Sequence, residues 1–371
     1  MRVGVVAETR TGERRVALVP EAVPRLVEAG LDVVIRSGAG RHAYATDDAY
    51  REAGATVADD DVLADSDVVL TVSPLTPEQA RSLKPGTVTI GFLPVESQRE
   101  LVSELCQRDV LAFSVEQVPR ISRAQSMDAL SSQALVAGYR ATLVAAERLP
   151  RFFPLFMTAA GTVAPAKVLV LGAGVAGLQA IATAHRLGAV VEAYDVRPSS
   201  AEEVRSVGAT FVDLGLESLE GSGGYAREMA QERAQRQQEL LAPYVAASDA
   251  VITTAAVPGR RAPLLVTTAM VEQMRPGSVV VDLAAESGGN CELSRPGEDV
   301  EHRGVLVWGG QDVPSSMPVH ASQLYARNLV NLLLLMTTDG RVEPDFDDEI
   351  LAACCVTRKA PPSEEKGGDH E

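Results

Sequence analysis

At 371 residues the chain is long enough for two domains of ordinary size, and 46% hydrophobic with 23% charged residues is the balance of a folded, water-facing protein. A formal net charge of −16 argues against nucleic acid as a partner and against electrostatic docking on anionic lipid, both of which need clustered Lys and Arg. Aromatic residues are only 4%, so the cores must be built from Val, Leu and Ala.

In chain order, RVGVVAE reads as a strand, PEAVPRLVEAG as a helix closed by Gly30, and LDVVIRSG as the next strand. The charges of the N-terminal residues leave no apolar core for a signal peptide. Short apolar runs at 67–72, 87–93 and 110–116 continue the pattern, separated by helical stretches rich in Glu, Gln, Arg and Ala. Strands alternating with helices imply a parallel sheet covered on both faces. Residues 126–149 form one amphipathic pattern with Gly138 as its only breaker, read as a long helix leaving the first unit for the second. The second unit, from near Pro165 to about Gly310, offers the strands KVLVLG, VVEAYD, TFVDLG, AVITTA, SVVVDL and VLVWGG. Its polar stretch 215–239 is a surface loop or a mobile flap, with Tyr225 beside Gly223 and Gly224 as the residue able to act as a lid. Ala321–Thr338 is helical and apolar without a sheet of its own, so it should return to the first unit. Its run Leu332–Met336 is far short of the ~20 residues that span a bilayer, and the tail 361–371 is too polar to fold. Cys106, Cys291, Cys354 and Cys355 make no CxxC pair and have no His at ligand spacing, so they read as reduced thiols without a metal.

The most informative stretch is VLVLGAGVAGLQA at 168–180, followed by VVEAYDVR at 190–197. An apolar strand runs into Gly172, Gly174 and Gly177, and a helix of small residues follows. Gly172 permits a tight turn, Gly174 admits a pyrophosphate to the backbone, and Gly177 lets helix and strand pack closely. The helix N-terminus turns its unpaired N–H groups to the phosphates. Asp195 ends the next strand, where its carboxylate can accept both hydroxyls of an adenosine ribose and disfavour a 2′-phosphate. Asp282 and Glu286 also lie at a strand end, but ordinary strand-to-loop acids explain them, and the five histidines are scattered.

MRVGVVAETRTGERRVALVP, RISRAQSMDALSSQ, GAGVAG, YDVRP and ITTAAVPG together resemble the alanine dehydrogenase and nicotinamide nucleotide transhydrogenase superfamily, over the chain to about residue 340. RAQSMDALSSQ resembles the transhydrogenase branch, in particular its NAD(H)-binding component. The amino-acid dehydrogenase branch has a Lys and a His where this chain has Ser73 and Pro94, neither a plausible proton carrier at neutral pH. Arg15 alone is then more simply structural. Hydride exchange between two nicotinamide rings releases no proton, so positioning suffices.

The resemblance implies that Gln125 bonds the ribose next to the nicotinamide, while Arg120, Asp128 and Ser131 hold the carboxamide and orient the ring. Asp128 and Ser131 also read, on their own spacing, as an N-cap cluster. Gly172, Gly174, Val175, Ala176 and Gly177 would form the pyrophosphate turn, and Asp195, Val196 and Arg197 would flank the adenosine ribose, Arg197 lying over the adenine or pairing with an acid. Gly224 and Tyr225 resemble the tip of the family's mobile loop. Gln237 and Ala256 resemble lining residues at the adenine and nicotinamide ends.

The expected fold is α/β: two Rossmann-like doubly wound domains with parallel sheets, the second (136–314) inserted in the first (1–135 plus about 315–360), with a cleft between them. The expected cofactor is NAD(H), with NADP(H) as co-substrate on a partner. The expected partners are membrane-spanning and NADP(H)-binding transhydrogenase subunits and a second copy of the chain, with the protein cytoplasmic and peripheral at the membrane. A chain ending on a polar tail fits a split-subunit system. The alternatives are an NAD-dependent alanine dehydrogenase and a non-catalytic NAD(H)-binding protein.

Overall fold

The structure, a computed structural model, describes residues 1–59, 62–216, 226–256 and 261–358, without the side chains of 226–231. The chain divides into two compact units, Met1–Ser132 joined by the residues from Pro318 onward, and Gln133–Met317.

The first unit holds a six-stranded sheet of β1 (Arg2–Val5), β2 (Asp32–Arg36), β3 (Thr56–Ala58), β4 (Val68–Leu70), β5 (Val88–Gly91) and β6 (Leu111–Ser114), in the order β3-β2-β1-β4-β5-β6. Every pair is parallel. Alternate residues face opposite sides, as the strand period of two requires: Val3, Val5, Val68 and Leu70 join one buried cluster, Val69 and Ala112 another. With both faces buried, the strands read as continuous apolar runs. The helix Pro318–Leu335 packs Tyr325, Leu329 and Leu333 into the first of these clusters.

In the second unit an antiparallel pair, β7 (Phe156–Thr158) and β8 (Gly161–Val163), precedes the main sheet, and the sequence did not suggest it. Its main sheet is seven-stranded: β9 (Lys167–Leu171), β10 (Val190–Tyr194), β11 (Thr210–Phe211), β12 (Ala250–Thr253), β13 (Val279–Asp282), β14 (Asp299–His302) and β15 (Val305–Gly309). The order is β11-β10-β9-β12-β13-β15-β14, parallel except for the antiparallel edge β14–β15. Val168 and Val170 face one cluster, Leu169 and Leu171 the other. In each sheet the order reverses beside the first strand, between β1 and β4 and between β9 and β12, the crevice where doubly wound sheets receive ligands.

Three expectations need correcting. The long helix read at 126–149 is present but starts later: Ser122–Met127 is a 3₁₀ stretch, and the α-helix is Ala129–Arg148. The stretch 215–239 is not a loop throughout, since Ala226–Ala247 is helical and buries Leu241 and Val245 against Leu169 and Leu171. TFVDLG contributes only a two-residue strand. Gly223, Gly224, Tyr225 and the tail 361–371 lie outside the described residues.

Candidate functional site

The crevice of the second unit is built by β9 and the helix Val175–Arg186. Gly172 turns the chain with φ +106°, where a side chain would be strained and would press on Thr254 Oγ1 at 2.6 Å. Gly177 admits no side chain, because a Cβ there would collide with the Gly172 carbonyl. Gly174, the N-cap, differs: it has ordinary extended backbone, and a Cβ would meet nothing within 4 Å. The space over Gly174 is therefore open on the side a pyrophosphate would take, and Val175 and Ala176 open the helix whose N–H groups are free to meet it.

Asp195 directly follows the strand β10. Its Oδ2 accepts from Ala173 N–H at 2.7 Å, tying the acid to the glycine turn. Oδ1 accepts from Arg197 N–H at 2.9 Å and Nε at 3.0 Å, and Arg197 Nη2 reaches Oδ2 at 3.2 Å. Burial pushes the Asp195 carboxyl up, but the hydrogen bonds from Arg197 and from the Ala173 and Arg197 amides outweigh it and hold the group below the usual carboxylate range. The acid that Arg197 pairs with is thus Asp195 itself. Val196 is exposed.

On the other side of the crevice β12 leads to Ala255 and the exposed Ala256. Thr254 Oγ1 donates to the Gly172 carbonyl at 3.2 Å. Asn290, buried, holds Ala255 like a neighbouring strand, accepting from its N–H at 3.0 Å and donating to its carbonyl at 2.8 Å. Asp282 is fully buried and accepts from Thr253 Oγ1 and from the Ala284, Asn290 and Cys291 amides, all at 2.9–3.0 Å. It organises the strand ends, as the sequence suggested. Glu286 accepts from Asp312 N–H at 3.1 Å. Thr254 and Asn290 escaped the sequence reading; the signal available was the GGN after a strand-end acid, whose Gly288 and Gly289 both take positive φ.

Gln237 lies one helical turn before Leu241, on the face that covers the sheet. Its Nε2 is buried and has no hydrogen-bond partner among the described residues. A buried orphan donor costs about 1–3 kcal/mol and is satisfied when an acceptor such as a purine ring nitrogen arrives. The open space over Gly174 and this orphan donor are the two features that fit a bound dinucleotide.

In the first unit, Arg120 and Gln125 are exposed. Asp128 is the residue before the helix Ala129–Arg148; its carboxylate accepts from Ser131 N–H at 2.8 Å and from Ser131 Oγ. That is N-cap geometry, so the capping reading of these two residues is realised. The segment is clamped from the helix Pro318–Leu335: Asn328 Nδ2 and Asn331 Nδ2 each donate to the Ser126 carbonyl at 2.9 Å, and Ser132 Oγ donates to Asn328 Oδ1 at 2.7 Å. Ala124 and Met127 anchor it in the core. The two asparagines are far from this segment in sequence, and nothing in their own neighbourhood announced them.

The crevice of the first unit is furnished differently. A cavity of about 450 Å³ there is lined by residues that include Glu8, Arg10, Thr71, Ser73 and Gln98. Glu8 accepts from Val72 N–H at 2.6 Å and Ser73 N–H at 3.0 Å, and burial raises its carboxyl above the usual range. Arg15 is buried against Glu13, with Nε–Oε1 at 2.8 Å and Nη2–Oε2 at 2.7 Å, a structural pair.

Residues 4–137 match the N-terminal domain, and residues 141–361 the C-terminal domain, of the family described as alanine dehydrogenase/PNT. The chain belongs to the alanine dehydrogenase/PNT family. It is 46% identical over 375 residues to an NAD(P) transhydrogenase alpha-subunit chain of Rhodospirillum rubrum, covering 96% of each chain. It is 34% identical over 302 residues to alanine dehydrogenase of Mycobacterium tuberculosis, covering 80% of this chain and 76% of that one. The solved transhydrogenase of Sinorhizobium meliloti superposes with a TM-score of 0.87 at 42% identity, covering 96% of this chain and 98% of that one. Both branches of the alanine dehydrogenase/PNT family are thus represented, with the transhydrogenase branch more similar in sequence. Among the described residues no helix is long and apolar enough to cross a membrane.

Proposed function

We propose that this chain is the NAD(H)-binding component of a proton-translocating transhydrogenase, exchanging a hydride between NAD(H) held here and NADP(H) held on a partner subunit. Bound NAD(H) supplies the hydride chemistry; this chain's residues bind and orient. Gly172, Gly174, Val175, Ala176 and Gly177 take the pyrophosphate, Asp195, Val196 and Arg197 flank the adenosine ribose, and Gln237 meets the adenine. Arg120, Gln125, Asp128 and Ser131 orient the nicotinamide, and Ala256 lines its end. A peripheral, cytoplasmic place on membrane-spanning partners belongs to the same reading and rests on the similarity to transhydrogenase alpha-subunit chains. A homodimer accompanies this reading.

The observation that carries the proposal is an open dinucleotide turn in a chain with Ser73 and Pro94 at the positions where a dehydrogenase of the other branch moves protons. Of the acids nearby, Glu8 is committed to two backbone amides, and Glu116 accepts from Leu93 N–H at 2.9 Å. The test is reconstitution with a purified NADP(H)-binding component: NADH should reduce an NADP analogue only when both proteins are present. Turnover of NAD with L-alanine alone would replace this reading with the dehydrogenase one, and NADH binding without exchange would leave a nucleotide-binding protein.

A further inference from the structure

Asp195 has no acceptor position to spare. A carboxylate offers about four lone-pair directions. Here they receive Ala173 N–H at 2.7 Å, Arg197 N–H at 2.9 Å, Arg197 Nε at 3.0 Å and Arg197 Nη2 at 3.2 Å. Two of these donors are backbone amides that cannot leave without unmaking the turn. The other two belong to the Arg197 guanidinium, whose side chain is 58% exposed against 8% for Asp195. Its one further bond among the described residues, to the Ala173 carbonyl, is long at 3.4 Å. A ribose brings two hydroxyl donors, and only the guanidinium's departure opens two acceptor positions for them.

Resting on the NAD(H) reading above, we propose that Arg197 is a specificity-determining residue: it covers the Asp195 carboxylate in the empty site and is displaced by the ribose hydroxyls. Two effects follow. Binding exchanges the guanidinium–carboxylate ion pair for hydroxyl-to-carboxylate hydrogen bonds, so each ribose hydroxyl gains less than it would on an uncovered carboxylate. The covered pair is also close to neutral, so a 2′-phosphate meets compensated charge, and Arg197 narrows the preference for NAD over NADP.

The experiment measures affinities of the full chain for 5′-AMP, 2′-deoxy-5′-AMP and adenosine 2′,5′-bisphosphate by calorimetry, with NADH binding by fluorescence. It compares wild type with Arg197→Ala and Arg197→Lys. Loss of the 2′-hydroxyl should cost roughly tenfold more in Arg197→Ala than in wild type, the worth of one hydrogen bond to a charged group. Arg197→Lys, which keeps the charge but not the fork, should fall between. Relative to AMP, the bisphosphate should weaken further in Arg197→Ala. Equal AMP to deoxy-AMP ratios in wild type and Arg197→Ala overturn the cover while leaving the NAD(H) reading standing. A wild-type chain that binds neither NADH nor AMP overturns that reading, and the cover with it.

Discussion

Gly138 rests directly on the Ala176 carbonyl: a Cβ at 138 would overlap that oxygen. One turn on, Thr142 Oγ1 donates to the Ala180 carbonyl at 3.0 Å. The helix Ala129–Arg148 thus backs the first turns of the helix that follows the glycine loop. Gly138→Ala should destabilise the chain by about 1–3 kcal/mol, the ordinary effect of overpacking, and loosen NADH binding with it. Gly174→Ala has open space and ordinary φ, so it should leave the urea midpoint where it was and weaken NADH alone. Equal loss of stability in the two variants would contradict this division.

Asp195→Asn should weaken NADH roughly 10- to 100-fold, since a neutral amide replaces a charged acceptor. Fluorescence titration checks this. A change below twofold would remove Asp195 from the ribose.

Acid should also expose Asp195. Its folded carboxyl holds a proton less tightly than the unfolded one, because the bonds from Arg197 and the two amides outweigh burial. Its stabilising contribution is therefore complete above the unfolded value of about 3.9 and fades as pH falls through the lower folded value. The stability gap between wild type and Asp195→Asn, read from urea melts, should be constant at about pH 5–6 and shrink towards pH 3. A gap that widens on acidification would reverse the assigned direction.

Gln237→Leu removes a buried donor that has no partner among the described residues, so folding stability should stay level or rise slightly. NADH affinity should nevertheless fall several-fold if the adenine satisfies Nε2 in the complex. Calorimetric melts and NADH titration on the same sample separate the two effects, and a drop in stability with unchanged affinity would give Gln237 a purely structural role.

Thiol labelling offers a check on the cores. Burial pushes the Cys291 and Cys354 thiols up to about 12, and Cys355 is also raised. Cys106 is half-buried, while the other three are buried. A thiol reagent at about pH 8 should modify Cys106 quickly and the others only on unfolding. Rapid labelling of a second cysteine would mean that one of these clusters opens readily.

The buried parallel strands were legible because both faces of each sheet are covered, which turns β1, β4, β9 and β12 into plain apolar runs. The edges were not. Thr56–Ala58 is partly exposed, and Asp299–His302 alternates charged with less exposed residues at the antiparallel edge. Edge strands carry such residues because one side has no neighbour to pair with. The glycine turn and Asp195 were readable because their chemistry is local in sequence. Asn328, Asn331 and Asn290 were not, since each acts on backbone that only folding brings to it. Gly138 looked like a flaw in a helix, and only the Ala176 carbonyl explains it.

The common strand order gives the chain two crevices of one design, furnished in opposite ways. In the second, Gly174 leaves backbone amides bare. In the first, the Glu8 carboxylate already sits on the amides of Val72 and Ser73, much as an incoming anion would. The chain carries its own permanent counterfeit ligand there. Its coenzyme stoichiometry should accordingly be one per polypeptide, although the architecture repeats.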